Sequence, residues 1–249
     1  MLRNLRLEMI LKLVDENEYV SLQELMKKTS SSESTIRGDL VYLEKEGKII
    51  RLHGGAKSIN QNNSSLTELN MNQKASLNVE QKNLIAKYAA NLIKDNTLVY
   101  IDAGTTTSCL CDYITSKGNI FVTNSMTIAQ KLTKRNYKVY VTGGEIKIST
   151  DAFVGSFPIE TIKRFTFDLG FFGANAISLT QGYTTPDYEE AIIKKTALER
   201  SNKPYVLADS TKLGFEQGVK FASFQEATLI IDKITNEEYK KENVLEVNK

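Results

Sequence analysis

The second half of this chain has a rhythm that restricts its fold more than any other feature. Short apolar runs at Leu98-Val99-Tyr100-Ile101, Ile120-Phe121-Val122 and Val139-Tyr140-Val141 alternate with helical stretches. Val206-Leu207-Ala208 and Leu229-Ile230-Ile231 add two more runs. Strands separated by about 10 to 15 helix-forming residues predict βαβ units and a parallel sheet. A helix is expected near 80–94, with Leu84, Ile85, Tyr88, Ala89 and Leu92 on its inner side.

In an open α/β sheet, ligands settle beyond the carboxyl ends of the strands. Four such ends carry polar or glycine-rich turns: Asp102-Ala103-Gly104-Thr105-Thr106-Thr107, Thr123-Asn124-Ser125, Thr142-Gly143-Gly144 and Asp209-Ser210-Thr211-Lys212. Taken singly, each is an ordinary helix cap or tight turn. Together, at successive strand ends, they point to an anion site, because the free amides of a helix's first turn face the ligand. Lys194 and Lys212 are candidates for the compensating charge, and Asp102 for hydrogen bonds to sugar hydroxyls.

The first 56 residues follow a different period. Leu2, Leu5, Met9, Ile10, Leu13 and Val14 recur every three or four positions, as on one face of a helix. Ser21-Leu22-Gln23-Glu24 has the form of a capping box and opens a short helix with Leu22, Leu25 and Met26 inward. Thr29-Ser30-Ser31-Ser32 breaks it, and either Ser31 or Ser32 caps a third helix through Ile36, Leu40 and Leu43 to Gly47. Residues 48–53 are strand-like, and Gly54-Gly55 turns the chain. Helix, short helix, turn, helix and strand is the order of a winged helix-turn-helix, whose third helix enters the major groove. Its outward residues are Glu33, Ser34, Thr35, Arg37 and Gly38. Arg37 suits a guanine edge or a phosphate, and the hydroxyls of Ser32, Ser34 and Thr35 suit either. The periodicity alone also fits a three-helix protein-interaction domain.

Residues 57–79 are polar and read as a linker. The expected organisation is therefore a winged helix-turn-helix over 1–56, a linker over 57–79 and an α/β domain over 80–249. Charge adds little, since nine Lys/Arg and nine Asp/Glu cancel within the first 56 residues. DNA-binding domains are usually more basic, so the case for DNA rests on placement. No apolar run approaches the roughly 18 residues of a membrane span, and the N-terminus lacks a signal-peptide core. Cys109 and Cys111 flank a single residue and read as small helix residues in a reducing cytoplasm. Two cysteines and one histidine offer no zinc set, so neither metal nor cofactor is expected.

The run Ser34-Thr35-Ile36-Arg37-Gly38-Asp39-Leu40, then Leu43-Glu44, Gly47 and Arg51-Leu52-His53-Gly54-Gly55-Ala56, resembles the DeoR family of bacterial repressors. The resemblance implies that Ser34, Thr35 and Arg37 work at the groove. It also implies that Arg51 and His53, with Gly54 and Gly55, lie at the wing's DNA contact. Gly38 departs from the family pattern, which has a second arginine there; a mid-helix glycine costs about 1 kcal/mol. In the second half, Asp102 to Thr106, Thr123-Asn124, Gly143-Gly144, Phe171 to Asn175, Gly182 to Asp187 and Ala208 to Lys212 look like the family's sensor domain. That domain resembles ribose-5-phosphate isomerase in fold, and the resemblance implies a sugar-phosphate effector. It brings Asn175 and Gly182 into the effector-binding set, with Glu190 beside the pocket.

The expectation is a DNA-binding regulator, a repressor of a sugar-utilisation operon, relieved by a phosphorylated sugar. Its partners would be a double-stranded operator and that sugar, with a homodimer or homotetramer holding the reading heads at half-sites. The Gly182–Asp187 segment is similar to that of fructose-operon repressors, which implies a fructose phosphate. Two alternatives stand beside it. One is an isomerase-like enzyme, which needs an acidic base near the substrate's carbonyl; isomerases of this fold carry Asp-Gly-Ala-Asp and a lysine before a glycine run, where this chain has Phe172-Gly173-Ala174-Asn175 and Gln181-Gly182. The other is a DNA-free adaptor in which Gly38 marks a retired reader.

Overall fold

The computed structural model describes residues 2–17, 19–46, 48–52, 54–58 and 71–247. The chain divides into two compact units, residues 1–65 and 66–249.

In the first unit, α1 (Arg3–Glu16), α2 (Leu22–Thr29) and α3 (Glu33–Lys45) surround a core of Ile10, Val14, Leu25, Ile36, Leu40 and Leu43. Strands β1 (Val20–Ser21), β2 (Ile49–Leu52) and β3 (Gly55–Ser58) form the small antiparallel wing sheet, in order β1-β3-β2. Ser21 Oγ accepts from the Glu24 amide at 3.2 Å, and Ser32, not Ser31, caps α3. The inner face of α1 is rotated from the expected one. Leu2, Leu5 and Met9 are exposed, while Leu7, Leu11 and Leu13 pack against Ile10 and Val14. Gly55 is required by close approach: a Cβ there would stand 2.0 Å from the Val20 carbonyl. Asp39 is buried and ties α3 to α1 through Arg6, with Arg3 at 3.5 Å.

The second unit opens with α4 (Met71–Ser76) and α5 (Val79–Ala90), followed by β4 (Leu98–Ile101), α6 (Thr105–Tyr113), β5 (Ile120–Thr123), α7 (Met126–Lys134) and β6 (Lys138–Val141). Strands β7 (Glu145–Lys147) and β8 (Ala152–Val154) make a hairpin before α8 (Ser156–Lys163). Then come β9 (Phe167–Gly173), β10 (Ala176–Ser178), β11 (Gly182–Thr185), α9 (Tyr188–Glu199), β12 (Ser201–Ala208), β13 (Val219–Ala222), β14 (Thr228–Ile231) and β15 (Val244–Glu246). The main sheet is parallel throughout, in order β15-β14-β12-β9-β4-β5-β6. Alternate residues feed opposite faces. Tyr100, Val122, Phe172, Val206 and Leu229 join one buried cluster; Val99, Ile101, Phe121, Phe171, Leu207 and Ile230 join the other.

Four sequence readings change. The central strand β9 was not foreseen as a strand, since Gly170 and Gly173 interrupt its apolar run. The helix expected near 80–94 ends at Ala90, and its buried stripe is Lys82, Ile85, Ala86, Ala89 and Ala90, with Ile93 buried just beyond it. Leu84 and Tyr88, expected inward, are exposed, because the small alanines are what let α5 pack closely on α6. The expected linker 57–79 is also narrower. Lys57 and Ser58 belong to β3, where Ser58 pairs with Ile49, and 71–76 is helical.

Candidate functional site

The parallel sheet brings the carboxyl ends of β5, β4, β9 and β12 side by side along one edge. Asp102 follows β4 and is fully buried. Its Oδ2 accepts from Lys194 Nζ of α9 and from the Gly173 amide at 3.1 Å. Lys194 Nζ also donates to the Gly173 carbonyl at 3.1 Å and lies 5.6 Å from the centre of the Phe221 ring. Burial pushes the Asp102 carboxyl up, while the Lys194 ammonium and the Gly173 N–H pull it down. Asp102 and Lys194, predicted as separate ligand contacts, thus hold each other across 92 residues of sequence.

Several other predicted groups are structural in this state. Asn124 Oδ1 accepts from Tyr100 Oη at 3.1 Å and from the Ala103 amide at 3.0 Å, which fixes the turn after β4. Thr107 Oγ1 donates to the Asp102 and Gly104 carbonyls at 2.7 and 3.0 Å, and Thr123 Oγ1 accepts from the Ser125 amide at 3.1 Å. Gly143 and Gly144 make the turn into β7, and a Cβ on Gly144 would stand 2.7 Å from the Val154 carbonyl. Gly182 begins β11 in the separate sheet β10-β11-β13, at the opposite end of β11 from Thr185. It does not join the strand-end groups. Asn175 does, accepting from Thr185 Oγ1 at 3.3 Å just beyond β9. Glu190, in the first turn of α9, accepts from Lys147 Nζ at 2.9 Å and Thr150 Oγ1 at 2.6 Å, both on the β7–β8 hairpin.

What remains available is cationic and hydroxylic. Gly104, Thr105 and Thr106 open α6, and no described residue partners the Thr105 or Thr106 hydroxyl, although Thr106 is only 9% exposed. Asp209 closes β12 by capping the turn Ser210–Lys212, accepting from the Thr211 amide at 3.1 Å. The half-buried Lys212 forms no ion pair among the described residues. Beside it stands a residue that sequence reasoning passed over. Lys82 of α5 is 5% exposed, donates to the Lys74 carbonyl, and forms no ion pair among the described residues. Burial pushes its ammonium down to about 8, with Asp209 opposing the shift and Lys212 and Lys74 adding to it. The legible signal was its place in the stripe 82, 85, 86, 89, 90 and 93. Two shallow surface depressions, beside Tyr88 and Leu245 and beside Phe157 and Arg164, gather none of these groups.

The cysteines are free thiols; burial raises both and pushes Cys111 up to about 12, so neither is a ready thiolate. Among the described residues, no group of three or more His, Cys, Asp or Glu side chains could hold a metal ion, and no helix is long and apolar enough to cross a membrane.

In the first unit, α3 presents Ser34, Arg37 and Gly38 outward. Ser32 Oγ hydrogen-bonds with Ser34 Oγ at 3.1 Å and Thr35 Oγ1 at 2.8 Å, so the three hydroxyls form one exposed group at the helix start. Arg37 pairs with Glu33 at 2.7 Å and Arg51 with Glu44 at 3.0 Å. Exposed pairs of this kind contribute about 0.2–1 kcal/mol. Gly54 is exposed at the wing turn, and His53 lies outside the described residues.

A winged helix-turn-helix ahead of a parallel sheet with polar strand ends defines a class of protein, the transcription regulator with an attached sensor domain. Residues 6–62 match the DeoR-like helix-turn-helix domain and residues 77–233 the DeoR C terminal sensor domain. The chain belongs to the DeoR family. It is 34% identical over 248 residues to the uncharacterized HTH-type transcriptional regulator FruR of Bacillus subtilis, covering 98% of each chain. It is 37% identical over 223 residues to the HTH-type transcriptional regulator GlpR of Haloferax volcanii, covering 89% of this chain and 86% of that one. The lactose phosphotransferase system repressor of Staphylococcus aureus is 30% identical over 236 residues, with 94% and 93% covered. These relatives are named as regulators or repressors, not enzymes. Among solved structures, ribose 5-phosphate isomerase A of Methanocaldococcus jannaschii has a TM-score of 0.40 at 16% identity, covering 55% of each chain.

Proposed function

We propose that this protein represses a sugar-utilisation operon in the cytoplasm, binding operator half-sites as a homodimer or homotetramer. A phosphorylated sugar at the strand ends of the second unit relieves the repression. The observation that carries the effector half is two lysines without an ion pair among the described residues, together with the hydroxylic start of α6. Lys82 and Lys212 have no carboxylate partner among the described residues, and Thr105 and Thr106 carry hydroxyls without a described partner. Phosphate oxygens suit both, since they accept from ammonium groups and from first-turn amides. The sugar would lie toward Asn175 and the Asp102–Lys194 pair. A fructose phosphate is the first candidate, on the strength of the Gly182–Asp187 segment. A relative named as a lactose phosphotransferase system repressor supports the sugar context.

The test is operator binding by the full chain across a panel of sugar phosphates, with Thr106→Ala and Lys212→Ala beside it. Both variants are expected to keep operator affinity and to lose most of the effector response. Normal responses from both would place the effector elsewhere.

A further inference from the structure

The short helix α4 follows the segment that joins the two units, and it is fastened at both ends to the strand-end edge. At its start, the Met71 amide donates to the Ser149 carbonyl at 3.1 Å. Ser149 lies in the β7–β8 turn, flanked by the Lys147 and Thr150 that hold Glu190. At its end, the Lys74 carbonyl accepts from buried Lys82 Nζ. Just beyond, Asn78 takes a left-handed conformation (φ 50°), and its Nδ2 donates to Asp209 Oδ1 at 3.1 Å and Thr211 Oγ1 at 3.3 Å. Between these fastenings α4 packs on α6, the helix whose first turn carries Thr105 and Thr106.

Lys82 therefore offers three N–H donors in a buried site and has one described acceptor, a neutral carbonyl. A phosphate oxygen is the stronger partner, because it adds the attraction of opposite charges in a buried site to the hydrogen bond. A helix of six residues does not hold without tertiary contacts. We propose that Lys82 is the anion contact of the strand-end site and also the latch of α4. A phosphate monoester takes Lys82 from the Lys74 carbonyl, and α4 comes loose from the sensor. Met71 is the first described residue after Ser58 of the DNA-reading unit, so α4 is the sensor element nearest to that unit along the chain. The anion contact rests on the strand-end reading above; the latch does not.

Hydrogen exchange of amides 71–78 in the full chain tests both. Without ligand, Lys82→Met is expected to speed their exchange about tenfold, the loss of one hydrogen bond to a charged donor. Amides of β4 and β9 should stay at wild-type protection, which separates unlatching from unfolding. Lys82→Gln, which keeps a donor toward the Lys74 carbonyl, is expected to stay slow. Millimolar inorganic phosphate or fructose 1-phosphate should speed α4 exchange in the wild type and leave Lys82→Gln unmoved. Equal ligand-free exchange in wild type and Lys82→Met would overturn the latch. Unchanged phosphate binding by Lys82→Gln, read as thermal shift, would overturn the anion contact. If no phosphate compound shifts the wild type, the strand-end reading fails and the anion contact with it; the latch is still judged by Lys82→Met.

Discussion

Replacing Gly38 separates two quantities that the DNA-reading helix combines. The residue sits in the middle of α3, exposed, one turn beyond Ser34 and next to Arg37. A Cβ built there meets nothing within 4 Å, so substitution meets no steric penalty. Gly38→Ala removes the helix cost of glycine, about 1 kcal/mol. On a unit of this size that raises the melting temperature by about 4–8 °C. Gly38→Arg keeps most of that gain and adds a guanidinium on the outward face. If it meets a phosphate, the slope of log affinity against log salt steepens by about 0.9 per reading head, or about 1.8 for two. Fluorescence anisotropy of an operator fragment over a salt series reads the slope, and Gly38→Ala supplies the baseline free of the contact. A Gly38→Arg slope equal to that of Gly38→Ala would refute the placement of this face of α3 against DNA.

Other expectations follow from the same contacts. Removing one partner of the buried Asp102–Lys194 pair, as in Asp102→Leu, strands a charge and should cost about 3–5 kcal/mol in urea unfolding; Asp102→Leu with Lys194→Met should recover much of it. Glu33→Gln frees Arg37 and should tighten operator binding at low salt, with the gain fading as salt rises. Lys82, faced by Asp209, Lys212, Lys74 and Cys109, titrates near 8, below its usual 10.5. Folding therefore disfavours its charged form, and its contribution to stability rises as pH climbs from about 8 to 10.5. Phosphate affinity should fall over the same rise. At pH 8, binding should take up about half a proton per site, read by calorimetry in buffers of different ionisation enthalpy.

The elements legible in the sequence were those whose signals are local. Ser21, and the Ser31-Ser32 pair of which Ser32 is the cap, announce their helices because a cap bonds within three residues. Strands β4 and β5 announce themselves by unbroken apolar runs between polar turns. What stayed hidden depends on distant partners. Asp102 was placed at the site, but nothing near it in sequence shows that Lys194 neutralises it. β9 was obscured by glycines, although a Cβ at Gly170 would stand 2.3 Å from Ser201 Oγ. Lys82 was passed over because Leu84 and Tyr88 drew the inner face of α5 to the wrong side. Its lining of an alanine-rich stripe was the clue, since lysine is almost never fully buried without a partner.

Under the proposed function, one chain couples operator binding to a phosphorylated sugar. The direct measurement is a titration of the full chain onto labelled DNA from the operon it controls, repeated with fructose 1-phosphate, fructose 6-phosphate and other sugar phosphates. Sequence-preferring, salt-sensitive binding is expected, dissolved by one sugar phosphate and not by the unphosphorylated sugar. Binding to no fragment in preference to random DNA, or a complex indifferent to every sugar phosphate, would contradict it.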